Sequence, residues 1–501
     1  MTTFNSPPAI EGLQPARVWQ FFAELSAVPR PSKREDKVRA QVRATAARLG
    51  FRFREDQAGN ILIEVPASSG HEGAPVTVLQ GHLDMVCEKN AGTEHDFDRD
   101  PIRLVLDKDS KTGEALVRAD GTTLGADNGV GLALALAAAS SPEVIHGPLE
   151  ILCTVDEEMG MSGAKVLAPD FIKGRRMLNL DAEEDDALYI GCAGGCDTTL
   201  TFELKTSPLP KRATVCRVTV AGLRGGHSGV DIHLNRINAI KLLVEVLSAV
   251  RPGRLRLAEL RGGSKRNVIP REASALVVGS AAAAKELAAT ARELQPFAVR
   301  AGEETCTIQV EKVAGTEVSA AATAKETQRL LTTLTALPHG VLAVVPEIAG
   351  LVQTSNSTST IETSVADGKL SVTIGCLSRS SLLRELEATA RQLRAIGQLA
   401  GAQAESGNQY PGWQPNVDSP LLAISQRVYK QLFGAEPNVT AIHAGVECGI
   451  IGERIGEGQM DTVSLGPHIA GAHSPDERVY VASVEKTWKY LTALLAELAR
   501  A

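Results

Sequence analysis

The chain has 501 residues, of which 44% are hydrophobic and 22% are charged, and its formal net charge at pH 7 is -7. A chain of this length exceeds the size of one ordinary hydrophobic core, so we expect a soluble globular protein with at least two domains. The negative charge disfavours a nucleic-acid-binding protein, and it gives no polybasic signal for binding to a membrane surface.

The amino-terminal segment and the cysteines predict a cytoplasmic protein. The segment MTTFNSPPAIEGLQPARVW lacks a basic stretch followed by an apolar core, so we expect no secretory signal. The apolar run GVGLALALAAA is short and rich in Gly and Ala, which favours a packed helix over a membrane span. Eight cysteines in so long a chain do not make a disulfide framework, and we expect them to be reduced.

The first part of the chain alternates helix-like and strand-like stretches. Apolar spacing predicts helices over 16–27 and 34–49, and NILIEV and VTVLQ are typical of strands. NGVGLALALAAAS then predicts a helix, and LEILCTV and MLNL predict two more buried strands that stop at acidic residues. This alternation predicts an α/β domain with a mostly parallel sheet and helices on both faces.

The pattern changes after YIGCAGGC, where helices and strands follow in the order of helix-on-sheet units, which is typical of an α+β domain. The predicted strands are 213–222, the extended segments within 265–280, CTIQVEKV, and a hairpin-like pair at 348–364 and 369–377. The predicted helices are 230–250, 283–294, 321–336 and 380–399.

The last part of the chain again alternates helix-like and strand-like stretches, as the first part does. A helix resumes near Leu421, and VTAIHAGVECGII and TVSLGPHIAGAHSPDERV again place His and acidic residues at strand ends. We therefore predict a catalytic domain over 1–190 and 402–501, interrupted by an inserted domain over 191–401. An insert of this kind is commonly a lid or a dimerisation element, which leaves a homodimer through the insert open.

The stretch VTVLQGHLDMV predicts a buried strand that stops at a His-x-Asp pair, His82 and Asp84. A polar turn after a strand would account for the pair. In the alternative, His82 binds a metal and Asp84 accepts a hydrogen bond from its other ring nitrogen, which fixes the imidazole tautomer. Other parts of the sequence are needed to choose between the two.

Four more stretches place ligand-type side chains after buried segments. The residues are Asp127 in GTTLGADNGVG, Glu157 and Glu158 in TVDEEMG, Asp181 in LNLDAEE, and His473 in GAHSPDE. A single Asp at a helix start is usually an N-cap, and an acidic run is usually a solvated loop. Their recurrence at the carboxyl ends of strands, where open α/β sheets place their sites, favours a shared site.

Imidazole and carboxylate ligands without clustered Cys suit two divalent metal ions, zinc first, with cobalt or manganese as alternatives. Glu157 and Glu158 are consecutive, and consecutive residues of an extended stretch point to opposite sides. One of them can therefore bind metal while the other acts as the general base for water that attacks a carbonyl at the metal centre.

Eight motifs in order resemble those of the aminoacyl-histidine dipeptidases, or cytosolic non-specific dipeptidases, of the di-zinc exopeptidase clan that includes carnosinases, carboxypeptidases and aminoacylases. They are GHLDMV, TLGADNG, TVDEEMGMSGA, NLDAEE, GGHSG, NVIP, HAGVECG and GAHSPDE, and the resemblance covers essentially the whole chain.

The resemblance implies a role for each candidate metal-site residue. His82 and Asp181 would hold one zinc ion, Glu158 and His473 the other, and Asp127 would bridge the two. Glu157 would be the general base, and Asp84 would orient His82. The resemblance also implies a cis peptide bond after Asp127.

Three residues of the insert are candidates for substrate binding. His227, in a Gly-rich loop, has no distinctive feature by itself, but the resemblance implies that it stabilises the oxyanion on the substrate carbonyl. The resemblance likewise implies that Asn267 in RNVIP contacts substrate. Arg379 in GCLSRSS could bind a dipeptide carboxylate in a bidentate pair, or could be a surface arginine. Cys192 and Cys196 are more typical of a packed domain junction than of a redox pair.

Glu447 lies in IHAGVECGII, in a Gly-containing turn between apolar segments. An unpaired carboxylate is costly there, so either a structural salt bridge or a substrate α-ammonium would have to meet it. If Glu447 binds the α-ammonium and Arg379 binds the carboxylate, the second interpretation predicts a site whose two charges are spaced to fit the two ends of one dipeptide.

The sequence thus predicts metal-dependent hydrolysis of unblocked dipeptides, with Xaa-His and β-alanyl-histidine among a broad set of small peptide substrates. An N-acyl amino acid deacylase of the same clan is one alternative. A non-catalytic peptide-binding protein that has kept the fold is another.

Overall fold

The computed structural model describes residues 8–210, 213–313, 318, 320–366, 369–456 and 458–500. The expectation of no secretory signal rests in part on residues 1–7, which lie outside the described residues. The chain forms two compact units. Unit 1 comprises Met1–Gly191, Trp413–Ala441 and Val446–Ala501, and unit 2 comprises Cys192–Gly412 and Ile442–Gly445.

The first stretch of unit 1 alternates strands and helices after a short 3-10 turn at Pro8–Ile10. Its strands are β1 (Arg52–Glu55), β2 (Ile61–Val65), β3 (Thr77–His82), β4 (Leu104–Lys108), β5 (Ala115–Ala119), β6 (Leu149–Thr154), β7 (Arg176–Asn179) and β8 (Ala187–Cys192). Its helices are α1 (Ala16–Ser26), α2 (Asp36–Leu49), α3 (Ala126–Ser140), α4 (Glu157–Gly160) and α5 (Ser162–Lys165).

Unit 2 consists of strands and four longer helices, with a 3-10 turn at Ile232–Leu234. Its strands are β9 (Gly194–Leu204), β10 (Thr206–Pro208), β11 (Thr214–Ala221), β12 (Gly226–His227), β13 (Arg256–Gly262), β14 (Val268–Ile269), β15 (Ala273–Gly279), β16 (Thr307–Val313), β17 (Ala320–Ala322), β18 (Gly340–Val344), β19 (Val352–Ala366), β20 (Lys369–Ser380) and β21 (Gln403–Tyr410). Its helices are α6 (Ala239–Ser248), α7 (Ala281–Arg300), α8 (Ala324–Ala336) and α9 (Leu383–Leu399).

The last stretch returns to unit 1. It adds strands β22 (Asn438–Ile442), β23 (Asp461–Ser464), β24 (Ile469–Ala470) and β25 (Arg478–Tyr480), and helices α10 (Pro420–Phe433), α11 (Glu447–Ile455) and α12 (Val481–Leu498). Within the described residues, none of the helices combines the length and the apolar character needed to cross a bilayer.

The main sheet of unit 1 is parallel at its centre. Its strand order is β1-β2-β6-β3-β7-β23-β8-β22. β3 pairs in parallel with β6 and β7, and β23 pairs in parallel with β7, whereas β1 with β2, β2 with β6 and β8 with β23 are antiparallel. Every residue of β3 and β6 is buried, which explains their continuous apolar runs. The predicted parallel sheet is therefore found, with antiparallel strands at its edges.

Unit 2 is built on a larger antiparallel sheet of order β16-β11-β15-β13-β19-β20-β9-β21, with β18 also paired to β19. Helices α6, α7, α8 and α9 supply side chains to the hydrophobic core that this sheet shares. The α+β character predicted for the insert agrees with this architecture.

Some boundaries differ from the sequence prediction, and Ile442–Gly445, within the predicted second part of the catalytic domain, belongs to unit 2. The chain returns to unit 1 at Trp413 and not at 402, because β21 pairs with β9 of unit 2. The helix predicted over 230–250 begins only at Ala239, since the Asn238 side chain accepts hydrogen bonds from the N–H groups of Ile240 and Lys241 and so caps the helix there.

Candidate metal centre

The carboxyl ends of three neighbouring parallel strands carry the candidate ligands of unit 1. β3 ends at His82, Glu157 and Glu158 follow β6, and Asp181 follows β7. Because β3 pairs in parallel with both β6 and β7, these ends meet at one edge of the sheet. The polar residues that follow the buried strands in the sequence therefore lie together at this edge of the sheet.

Asp127 lies at the start of α3, where its peptide bond to Asn128 is cis, as the resemblance implied. Its Oδ1 is 2.9 Å from Nε2 of His82, and its Oδ2 is 3.1 Å from Nε2 of His473. A single carboxylate thus faces one imidazole with each of its oxygens.

Each imidazole also faces a second carboxylate. Asp181 Oδ1 is 3.3 Å from Nε2 of His82, and Glu158 Oε2 is 3.1 Å from Nε2 of His473. Ligand atoms of His82, Asp127 and Glu158 all lie within 4.8 Å of one another. The five predicted ligands therefore come together as two donor sets that share Asp127.

Two carboxylate oxygens in this cluster are buried and poorly satisfied. Among the described residues, Glu158 Oε1 accepts no hydrogen bond, and Asp181 Oδ1 has only the 3.3 Å approach of His82 Nε2. A buried carboxylate oxygen without a partner is costly, so these positions fit a bound cation.

The pKa values in the cluster reflect crowded carboxylates. Hydrogen bonds to Asp127 and Glu158 raise the pKa of His473 to about 11, and burial raises the pKa of Asp181 to about 6. Burial also opposes ionisation of Asp127, but hydrogen bonds from His473 and His82 outweigh it and lower the pKa of that carboxyl. A metal cation held by these residues would compete with protons for the imidazole nitrogens.

Asp84 contacts both His82 and the neighbouring glutamates. Its Oδ1 lies 3.3 Å from Nδ1 of His82, and its two carboxylate oxygens accept hydrogen bonds from the N–H groups of Glu157 (3.0 Å) and Glu158 (3.2 Å). The contact to His82 was predicted from sequence, whereas the contacts to the glutamate backbone were not. One side chain therefore orients a candidate ligand and the segment that carries the candidate base.

The expectation that Glu157 and Glu158 lie in an extended stretch is wrong. They form the first turn of α4, directly after Asp156, whose φ of 56° is in the left-handed region. The helix begins here because the Asp84 carboxylate satisfies two of its free N–H groups. Side chains of successive helical residues point about 100° apart, so the two glutamates still face different directions.

Two buried residues that the sequence analysis missed support the same loops. Glu477 accepts hydrogen bonds from the N–H groups of Leu124 (2.7 Å), Gly125 (2.9 Å) and Asp127 (3.2 Å). Arg30 donates to the carbonyl oxygens of residues 83, 84 and 125. Glu477 stands inside the motif GAHSPDE, which could have singled it out, whereas no motif surrounds Arg30.

Glu447 is the first residue of α11 and not part of a turn. It is buried, and its Oε2 accepts hydrogen bonds from Gln80 Nε2 (2.7 Å) and Thr154 Oγ1 (2.5 Å). Its Oε1 accepts none within the described part of the chain, and the ion pairs found there include none to Glu447. Burial raises its pKa to about 8. The salt-bridge alternative therefore finds no partner in the described structure.

Arg379 lies in unit 2 and is no surface arginine, because only 4% of it is exposed. Its Nη1 donates to the Tyr410 hydroxyl (3.0 Å), and its Nη2 lies 3.4 Å from Nε2 of His227. Its Nε has no hydrogen-bond partner among the residues described, and no carboxylate there forms an ion pair with it. A buried guanidinium without a counter-charge is typical of an anion-binding site.

The loop around His227 directs backbone N–H groups at one nitrogen of its ring. Its Nδ1 accepts hydrogen bonds from the N–H groups of Gly229 (3.3 Å) and Val230 (2.9 Å), so in the neutral ring Nε2 carries the proton. The backbone oxygen of Asn267 accepts from the N–H of Ser228 (2.8 Å). The structure thus brings the three substrate-binding candidates of the insert into one region of unit 2. Cys192 and Cys196 are buried, and neither forms a disulfide within the described residues.

The sequence is similar to characterised peptidases over its whole length. The profile of peptidase family M20/M25/M40 matches residues 78–497. The protein of Escherichia coli (strain K12) named cytosol non-specific dipeptidase is 40% identical over 97% of this chain and 98% of its own.

Solved structures give the same result. The crystal structure of aminoacylhistidine dipeptidase from Vibrio alginolyticus is 40% identical, covers 99% of both chains and superposes with a TM-score of 0.87. A tripeptidase from Staphylococcus aureus, 16% identical over 98% of this chain and 100% of its own, shares the fold with a TM-score of 0.56. The family profile and the extent of the 40% identity lead to one assignment: the chain belongs to peptidase family M20/M25/M40.

Proposed function

We propose that the chain is a metal-dependent dipeptidase that hydrolyses unblocked dipeptides, with Xaa-His dipeptides including β-alanyl-histidine among a broad set of substrates. The observation that carries the proposal is the position of Asp127 between two imidazoles. One of its oxygens faces His82, which also contacts Asp181, and the other faces His473, which also contacts Glu158. The names of the two 40% identical relatives support the choice of dipeptides.

Two divalent ions fit the donor set of unit 1. His82 and Asp181 would hold one, Glu158 and His473 the other, and Asp127 would contact both. Imidazole nitrogens with carboxylate oxygens suit zinc, and cobalt or manganese are the alternatives. When bound, the ions supply Lewis-acid chemistry at the scissile carbonyl.

Glu157 is the general base in this proposal. Burial, together with the charges around it, raises its pKa well above the ordinary value, which brings the carboxylate closer to the range in which it can take a proton from attacking water at neutral pH. Asp84 holds the Glu157 N–H and lies against Nδ1 of His82, so it positions the base and a ligand together.

In this proposal, one charged side chain recognises the carboxylate end of the dipeptide and another recognises its amino end. Arg379 binds the dipeptide carboxylate, Asn267 contacts the substrate, and the unsatisfied Oε1 of Glu447 accepts a hydrogen bond from the free α-ammonium. An N-acyl amino acid deacylase would use the same metal ligands but would have no use for an ammonium-binding carboxylate.

Hydrolysis of free and N-acetylated dipeptides tests this assignment. Wild type is expected to cleave free Xaa-His dipeptides faster than their N-acetyl forms, because an acylated amine leaves Glu447 desolvated at a cost of about 1 to 3 kcal/mol. Glu447→Gln should raise KM for the free dipeptides and narrow this difference.

Glu453→Gln is the matched control, since Glu453 is an exposed glutamate of the same helix α11. It should leave both substrates unaffected. Equal rates of wild type on free and N-acetyl dipeptides would contradict amine recognition and favour the deacylase. No hydrolysis of either class after metal addition would favour the non-catalytic peptide-binding protein.

His227→Ala is expected to lower kcat more than it raises KM, because a hydrogen bond to a developing oxyanion strengthens in the transition state. The Nε2–H tautomer supports this donor role. His233→Ala, on an exposed residue of the same loop, is the control and should change neither constant. A rise in KM alone for His227→Ala would indicate a contact made equally with the ground state.

We place the reaction in the cytoplasm, in agreement with the word cytosol in the name of the Escherichia coli relative and with eight cysteines that form no disulfide within the described residues. We further propose that unit 2 acts as a lid or a dimerisation element, and we expect no nucleic-acid or membrane partner. Solution scattering with and without a non-hydrolysed dipeptide analogue tests the lid, and sedimentation tests the homodimer.

A further inference from the structure

Tyr410 shares one row of the unit 2 sheet with Arg379. Gly195 of β9 pairs with Arg379 on one side and with Tyr410 on the other. Directly paired residues of antiparallel strands place their side chains on the same face of the sheet. Because the residue between them is a glycine, the tyrosine ring can lie across β9 and reach the guanidinium.

Two glycines leave the space that the ring fills. A Cβ added at Gly195 would lie 2.5 Å from Cζ and Oη of Tyr410, and a Cβ added at Gly445 would lie 2.7 Å from its Cε2. Real Cβ atoms essentially never make contacts this short, so side chains at these positions would displace the ring. The ring position is therefore specified by three separate segments of unit 2.

The hydrogen bond between Arg379 and Tyr410 leaves the tyrosine proton available. A guanidinium can only donate, so the Tyr410 oxygen is the acceptor of the 3.0 Å bond from Nη1. Burial raises the pKa of Tyr410, and the hydroxyl keeps its proton at neutral pH. The O–H group beside Arg379 is consequently a donor, and the Nε of the same guanidinium has no acceptor among the described residues.

We propose that Tyr410 is a specificity-determining residue that donates its hydroxyl proton to the α-carboxylate of the dipeptide and, by accepting from Nη1, fixes the Arg379 guanidinium that binds the same carboxylate. This inference rests on the proposed dipeptidase function. It adds a neutral donor to the charged one, and the pair recognises a carboxylate better than a carboxamide, which brings N–H groups of its own toward these donors.

The test compares alanyl-histidine with alanyl-histidine amide in wild type and Tyr410→Phe. The variant should raise KM for the free acid about tenfold, the scale of one hydrogen bond to a charged group, and leave KM for the amide and both kcat values unchanged. Tyr429→Phe is the matched control, because it removes a tyrosine hydroxyl of unit 1 that lies 3.5 Å from the Asp185 carbonyl oxygen and has no part in the proposed carboxylate site. It should change no constant.

The outcomes separate this inference from the proposed function. An unchanged KM of Tyr410→Phe for the free acid, or an equal rise in KM for acid and amide, would overturn the role of Tyr410 while wild-type dipeptidase activity stood. Failure of metal-loaded wild type to cleave either substrate would overturn both.

Discussion

Replacing Glu157 with glutamine is expected to lower kcat by about a hundredfold or more, the scale of removing a general base. The amide keeps the shape of the side chain but cannot take a proton from water. The metal content of the purified variant should equal that of wild type, because Glu157 belongs to neither donor set. Steady-state kinetics together with elemental analysis of the same sample measures both quantities.

Glu158→Gln is the matched comparison, since Glu158 is the next residue of the same helical turn and its Oε2 lies 3.1 Å from Nε2 of His473. This variant should lose metal as well as activity. If Glu157→Gln loses as much metal as Glu158→Gln, the division of roles between the two glutamates is wrong.

Replacing Asp127 with alanine is expected to remove both metal ions and to reduce turnover to background. Among the described residues, Asp127 is the one carboxylate that faces both imidazoles, so its loss takes a ligand from each donor set. Elemental analysis after dialysis and assay with excess zinc measures the two effects.

Asp181→Ala provides the comparison, because Asp181 approaches only His82 among the two imidazoles. It should retain more metal than Asp127→Ala. Full metal content in Asp127→Ala would exclude Asp127 as the shared ligand.

The sequence located the edge of the sheet at which the site lies. His82 and Asp181 follow apolar runs, and such runs are typical of parallel strands buried on both faces. The carboxyl ends of parallel strands meet at one edge of a sheet, so the sequence alone groups these side chains. The pairing of β3 with β6 and β7 agrees with that prediction.

Local conformation was harder to predict at Glu157 and Glu447. Both begin helices, and in α4 the reason is distant in sequence, because the Asp84 carboxylate satisfies the amides of residues 157 and 158. The periodicity of four residues cannot distinguish one helical turn from an extended stretch.

The supporting contacts of the site depend on tertiary structure. Glu477 accepts a hydrogen bond from the N–H group of Asp127, which is 350 residues away in the chain. Arg30 donates hydrogen bonds to backbone carbonyl oxygens of two loops, at residues 84 and 125. The row of Arg379, Gly195 and Tyr410 depends on the register of three strands, which the turn and loop lengths between them do not specify. No spacing rule in the sequence brings these residues together.

Zinc titration of chelator-treated protein, followed by hydrolysis of alanyl-histidine, is the most direct test of a metal-dependent dipeptidase. The account predicts no hydrolysis by the metal-free protein and a rise in activity that ends at about two zinc ions per chain, the number that two donor sets sharing one carboxylate can hold. Full activity in protein shown by elemental analysis to be free of metal would contradict it, as would no hydrolysis at any zinc, cobalt or manganese loading.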